Sequence, residues 1–353
     1  MKDGYLQLFG IFSDFIGQDR AQDMQLPFRF LSETTEDRSL FANSQIKSHK
    51  VDWLGRHILL VSCSGSNYFI TVGYHDIQMP VGFTAIDTKL GMFMAVILEL
   101  KIGILPSFTA FDIKQHILIP IEDEANPIAY KFDDIVTYFP EICVFVINDE
   151  VKQYDILLDK YATLMICNNS DLLKLNIPAN IIDLYKDIID SNYSHLNYDN
   201  IWRSISAIEW RYCFIELYRC IEVLFYISQT YQLSTDLSSR LSLNNLFGYI
   251  YKKLPDTYHE NTGLDILFNL LQPETIDKLK AISELKTTEG FYRLRNSIVH
   301  GKRQEYYNTI IKKEDSWKST ITFTLIAIKE LYELFDDDLD HFDEYIIKSN
   351  RRC

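Results

Sequence analysis

The chain has 353 residues, 47% of them hydrophobic, 24% charged and 14% aromatic. That much apolar and aromatic surface excludes a mainly disordered, collagenous or low-complexity protein. The formal net charge of −14 excludes coating of nucleic acid or an anionic membrane through bulk charge, though not a small local basic site.

At roughly 150 residues per domain, the length predicts about two domains. Tyr5 to Ile16 carries Asp14 and lacks a cleavage signature, so the N-terminus does not read as a signal peptide. Up to about residue 170 the apolar runs are short and rich in β-branched and aromatic residues. They are Tyr5–Phe12, His57–Cys63, Tyr68–Val72, Phe93–Ile104, Ile117–Ile121, Ile142–Ile147 and Leu164–Ile166. Ser64-Gly65-Ser66-Asn67 reads as a hairpin turn. This predicts a β-rich domain over 1–175, a mostly antiparallel sandwich or barrel with a helix or two. Its role is read as sensing or binding an unknown trigger. The most apolar run, Gly91 to Pro106, is too short to span a bilayer and is interrupted by Glu99 and Lys101. The protein therefore reads as cytoplasmic, with no membrane partner.

The stretch from about Asn168 to Asn200, with Pro178, is the expected connector. Helical stretches follow. Ile201 to Tyr231 has no glycine or proline, and Leu241 to Leu254 ends at Pro255. Pro273 suits the first turn of a helix to about Lys286, Thr288 to His300 stops at Gly301, and Ser316 caps Trp317 to Phe335. Together these predict an all-α bundle over 195–335 and an α+β chain. An acidic tail, 336–353, is expected to be solvated. Cys63, Cys143, Cys167, Cys213, Cys220 and Cys353 form no C-x-x-C pair and read as reduced, mostly buried thiols.

The stretch from Phe291 to Gly301 reads F-Y-R-L-R-N-S-I-V-H-G. Asn296 and His300 are four apart and share a helix face. Arg295 lies about 140° around from His300, within reach of a long side chain. Arg293, Arg295, Lys302, Arg303, Lys312 and Lys313 stand against one acid, Glu305, between 291 and 313. A basic concentration in an acidic chain suits a phosphate-bearing ligand. A near-neutral histidine can move the proton of an RNA 2′-hydroxyl, and an arginine fork can hold the scissile phosphate. RNA brings its own nucleophile, so neither metal nor cofactor is required. An Arg…His pair at a helix end beside glycine also reads as capping and solvation.

With a long preceding helix containing E-L-Y-R-C-I-E-V-L-F, R-N-S-I-V-H-G resembles the R-x4–6-H signature of the HEPN superfamily, in its Apea-like form. The resemblance covers about 195–335. It implies a metal-independent endoribonuclease acting as a toxin or antiviral effector, and a homodimer that joins two motifs in one cleft. Arg295 and His300 then form the catalytic pair, Asn296 follows the arginine, and Glu222 orients Arg295 or His300. Arg293, Lys302, Arg303, Lys312 and Lys313 would contact RNA. Arg219 and Glu222 also read as a simple pair on a stripe with Ile201, Ile205, Ile208, Tyr212 and Ile215. Two alternatives stand beside the ribonuclease. One is a non-catalytic HEPN module that dimerises or binds a ligand. The other is a metal-dependent nuclease in which Asp87, Glu99 and Lys101 follow an Asp…Glu-x-Lys skeleton, with Glu99 and Lys101 on one face of a strand.

Overall fold

A computed structural model describes residues 1–17, 29–117, 128–148, 158–225, 227–228, 230–231, 260–300 and 313–339. The chain divides into two compact units, Met1–Leu158 and Asp159–Cys353.

The first unit is α+β. Its main sheet is antiparallel, in the order β2 (Gln45–Val51), β3 (His57–Cys63), β4 (Ser66–Val72), β7 (Ile142–Ile147), β5 (Phe83–Ile86). A second, parallel pair joins β1 (Arg29–Leu31) to β6 (Ile128–Tyr130). The β3–β4 hairpin turns at Ser64 and Gly65, both at positive φ (50° and 84°), with Cys63 paired to Ser66. Two positive φ values in a two-residue loop match the twist of the flanking strands.

The expected sandwich or barrel is corrected: one sheet is covered by helices. Helix α1 (Lys2–Phe15) replaces the expected strand Tyr5–Phe12. Tyr5, Leu8, Phe9 and Phe12 are all buried, and that 3–4 spacing makes one helical face. Helix α2 (Thr35–Asn43) starts on a Thr34/Asp37 capping box. Helix α3 (Leu90–Leu100) replaces the expected strand Phe93–Ile104. Met92, Phe93, Met94, Val96 and Ile97 are all buried, so its apolar run is continuous because the helix is enclosed, not because it is a strand. Gly91 lets α2 and α3 touch, since a Cβ there would lie 2.1 Å from the Asp37 carbonyl. Helices α4 (Ala110–His116) and α5 (Phe132–Val136) complete the unit as described. Ile117 caps α4, and the rest of the expected strand Ile117–Ile121 lies outside the described residues.

In the second unit the described regular elements are all helical. Leu164–Ile166 sits in helix α6 (Leu158–Asn168), and the expected connector holds α7 (Ala179–Ser191) and α8 (Tyr198–Ile205). The unit boundary therefore falls before residue 175. The expected single helix Ile201–Tyr231 is broken: α8 ends at Ser206, and α9 (Trp210–Glu222) begins after Glu209 in an extended conformation. Helix α10 (Glu260–Asn269) follows, then α11 (Pro273–Ala281), which begins at proline as expected but stops before Lys286. Helix α12 (Thr288–His300) has the expected bounds. Helix α13 (Glu314–Leu339) outruns the expected Trp317–Phe335 at both ends. Ser316 does not cap it; its hydroxyl donates to Glu284 (3.1 Å). Leu241–Leu254 lies outside the described residues.

Helix α13 is the core of this unit and packs against α7, α9 and α11. Trp317, Ile321, Phe323, Leu325, Ile328, Leu331, Tyr332 and Phe335 are buried along it. Asp336 is no solvated tail residue: its carboxylate accepts the backbone N–H of Ser194 (2.7 Å) and His195 (3.0 Å). Among the described residues, no helix is long and apolar enough to cross a membrane. Cys63, Cys143, Cys167, Cys213 and Cys220 are free thiols.

Candidate functional site

Helices α9 and α12 meet through aromatic rings. Phe291 of α12 lies 5.1 Å from Phe214, and 5.6 Å from Tyr218 with the ring planes 28° apart. Phe268 of α10 and Phe323 of α13 close around it at 5.2 and 5.5 Å. Phe291 and Tyr218 are fully enclosed (0% and 1% exposed). Rings packed this densely fix the rotation of both helices.

One turn further along each helix, the contact changes from apolar to ionic. Arg295 follows Phe291 by four residues, and Glu222 follows Tyr218 by four. Arg295 Nη2 donates to Glu222 Oε1 at 2.5 Å, and Nη1 donates to Asn296 Oδ1 at 2.9 Å. The guanidinium also lies 5.7 Å from the Tyr218 ring centre. The ion pair is largely enclosed, with side chains 16% and 27% exposed. Enclosure strengthens the attraction and makes loss of either partner expensive. Arg295 is thus held on three sides, by a carboxylate, an amide and a ring.

Three residues of the expected site therefore come together: Arg295, Asn296 and Glu222. His300 ends α12, one turn beyond Asn296, and its side chain lies outside what the structure describes. Lys302, Arg303 and Lys312 fall outside the described residues. The Arg219–Glu222 pair is corrected: Arg219 bonds Glu216 at 2.7 Å, which leaves Glu222 to Arg295. The stripe drawn from Ile201 to Glu222 does not survive the break at 206–209. Ile201 and Ile205 are buried, yet Ile208 is 71% and Tyr212 51% exposed. The opposite face of α9 turns inward, with Leu217 and Ile221 buried.

The basic patch is not bare. Arg293 pairs with Glu289 one turn back on α12, and Lys313 bonds Glu284 at 2.7 Å. Burial raises the Glu284 pKa, but hydrogen bonds from Lys313, Ser283, its own backbone and Ser316 outweigh that and hold it at about 2. Counting charge between 291 and 313 missed these acids because they lie outside that window. Tyr218 was also missed. Its signal was its place one turn before Glu222 in E-L-Y-R-C-I-E.

The strand expected for Glu99 and Lys101 is corrected to a helix. Glu99 sits in the last turn of α3, and Lys101 caps that helix in the left-handed region (φ 53°). They do not share a strand face. Among the described residues, no cluster of three or more His, Cys, Asp or Glu side chains is placed to hold a metal ion.

Compared with family models, curated proteins and solved structures, the chain matches none.

Proposed function

We propose that the second unit is a HEPN-type endoribonuclease that works without metal, in a toxin-like or antiviral role. The observation that carries the reading is the Arg295–Glu222 pair, set against Tyr218 and beside Asn296 at the end of the helix that His300 closes. A guanidinium positioned in this way needs no reorganisation to meet a phosphate, and such preorganisation is the main source of electrostatic catalysis.

In the proposed reaction His300 takes the proton of the 2′-hydroxyl. The 2′-oxygen attacks phosphorus, and the bond to the 5′-oxygen breaks. The leaving oxygen gains a proton, from histidine or water, and becomes a 5′-hydroxyl. The other fragment ends in a 2′,3′-cyclic phosphate. Arg295 holds the developing phosphorane charge. Lys302, Arg303, Lys312, Lys313 and Arg293 extend the RNA track. A homodimer would bring two such motifs to one cleft. Most apolar side chains of α13 are buried within the unit, so that interface would draw on exposed Ile208, Tyr212, Val299 and Leu334.

The test is cleavage of RNA in EDTA. Wild-type protein should cut, and Arg295→Ala and His300→Ala should each lose activity by 10²–10⁴-fold. Full activity in both variants sinks the reading, as do 3′-hydroxyl products. A second reading, a HEPN-like module that binds or dimerises without cleaving, draws on the carboxylate partners of Arg293, Arg295 and Lys313. It predicts RNA or nucleotide binding with no turnover.

A further inference from the structure

We propose that the β2–β3 hairpin of the first unit is a docking tip for anionic lipid bilayers. The inference is independent of the ribonuclease reading. Val51, Trp53 and Leu54, within four residues, are 49%, 47% and 54% exposed. Other exposed apolar side chains of this unit, such as Val81 and Phe111, stand singly in the sequence. Trp202 and Trp317 are buried and Trp210 is partly buried, so Trp53 is the tryptophan that stands furthest out.

The tip is built to stay in this shape. The buried Asp52 carboxylate accepts the backbone N–H of Leu54 (2.9 Å) and of Arg56 (3.0 Å), Arg56 Nε (2.7 Å) and the Tyr74 hydroxyl (2.9 Å). Gly55 supplies the positive φ (75°) the turn needs, and the Arg56 guanidinium lies 4.3 Å from the Tyr74 ring centre. Behind the turn, His49 Nε2 and His57 Nδ1 are 2.8 Å apart, bracing the two strands. Backbone and side-chain polar groups at the turn are satisfied locally, while its apolar side chains face outward. A rigid turn of this kind loses little entropy when it meets a partner.

Charge selects the partner. Lys47, Lys50 and Arg56 outnumber Asp52 in the stretch 45–57, a formal excess of two positive charges in a chain of −14. Lys50 lies in strand β2, beside Val51 and three residues before Trp53, which sits in the turn. Apolar groups at the apex with Lys50 behind them at the end of the strand match the order of a bilayer interface, where apolar side chains sink about 5–10 Å beneath the phosphates. Tryptophan favours that depth. The tip is convex, and lipid, unlike a preformed protein pocket, accepts a convex wedge of any outline.

The experiment uses the full chain with vesicles of phosphatidylcholine alone and of equimolar phosphatidylcholine and phosphatidylserine. Co-sedimentation and a blue shift of tryptophan emission are expected with the serine lipid and not with choline lipid alone. Trp53→Ala with Leu54→Ala should abolish binding without changing the melting temperature. Trp53→Phe should keep binding yet lose the emission shift, which guards against a folding artefact. Lys50→Gln should weaken binding about fivefold, and Lys47→Gln, three residues further back along the strand, should weaken it less. The proposal is overturned by absence of binding, by equal binding to both vesicles, by tip variants that bind as wild type, or by a tip that changes solution mass without touching lipid.

Discussion

Truncating Glu222 to alanine probes the centre of the candidate site. The Arg295–Glu222 contact is 2.5 Å between heavy atoms. Charge centres about 4 Å apart attract by about 4 kcal/mol at an effective dielectric of 20. Water reaches both side chains, 16% and 27% exposed. The loss should therefore fall between the ~0–1 kcal/mol of a surface pair and the ~3–5 kcal/mol of a broken buried pair, at about 2 kcal/mol. For a domain of this size that lowers the melting temperature by about 4–8 °C. The assay is a double-mutant cycle of Glu222→Ala, Arg295→Ala and the double variant, by thermal and urea unfolding. A coupling of about 1–2 kcal/mol is expected, because the double variant leaves no orphaned charge. Additive losses within about 0.5 kcal/mol would show that the pair does not fix Arg295, and the preorganisation argument would fail with it.

Other outcomes are equally specific. Glu284 titrates at about 2 when folded, against an ordinary 4.5. Its contribution is therefore present above about pH 4.5 and is lost as pH falls toward 2. The shift sets a ceiling of about 3 kcal/mol, and exposure of Lys313 (57%) screens it to about 1–2 kcal/mol. Glu284→Gln should flatten that part of the stability–pH curve; an unchanged slope refutes the assignment. Gly91→Ala should cost 1–3 kcal/mol or more in urea unfolding, because its Cβ would lie 2.1 Å from the Asp37 carbonyl; a neutral result would contradict the α2–α3 contact. Light scattering at micromolar concentration should give the mass of a dimer, and Arg295→Ala mixed with His300→Ala should regain some RNA cleavage. A fully active monomer would rule out a shared cleft.

Local pattern carried much of this protein. The Ser64-Gly65 hairpin, strands His57–Cys63 and Ile142–Ile147, the proline-led start at Pro273 and helix Thr288–His300 follow from turn chemistry, alternation and helix signals within a few residues. So does the division into a sheet-bearing first part and a helical second part. What local pattern does not encode is enclosure. Tyr5–Phe12 and the run from Phe93 resemble strands because both are short and aromatic or branched, yet they are helices covering the sheet. The break at 206–209 carries no glycine or proline, so no local breaker marks it. The site divides along the same line. Arg295 and Asn296 are adjacent on one helix, so their proximity was legible. Glu222 and Tyr218 lie more than seventy residues away in sequence, and the packing of Phe291 against Phe214 and Tyr218 sets the register that brings Glu222 to Arg295. Short-range geometry is written in the chain because it depends on neighbours along it. Long-range register depends on which rings interlock, and the folded core alone decides that.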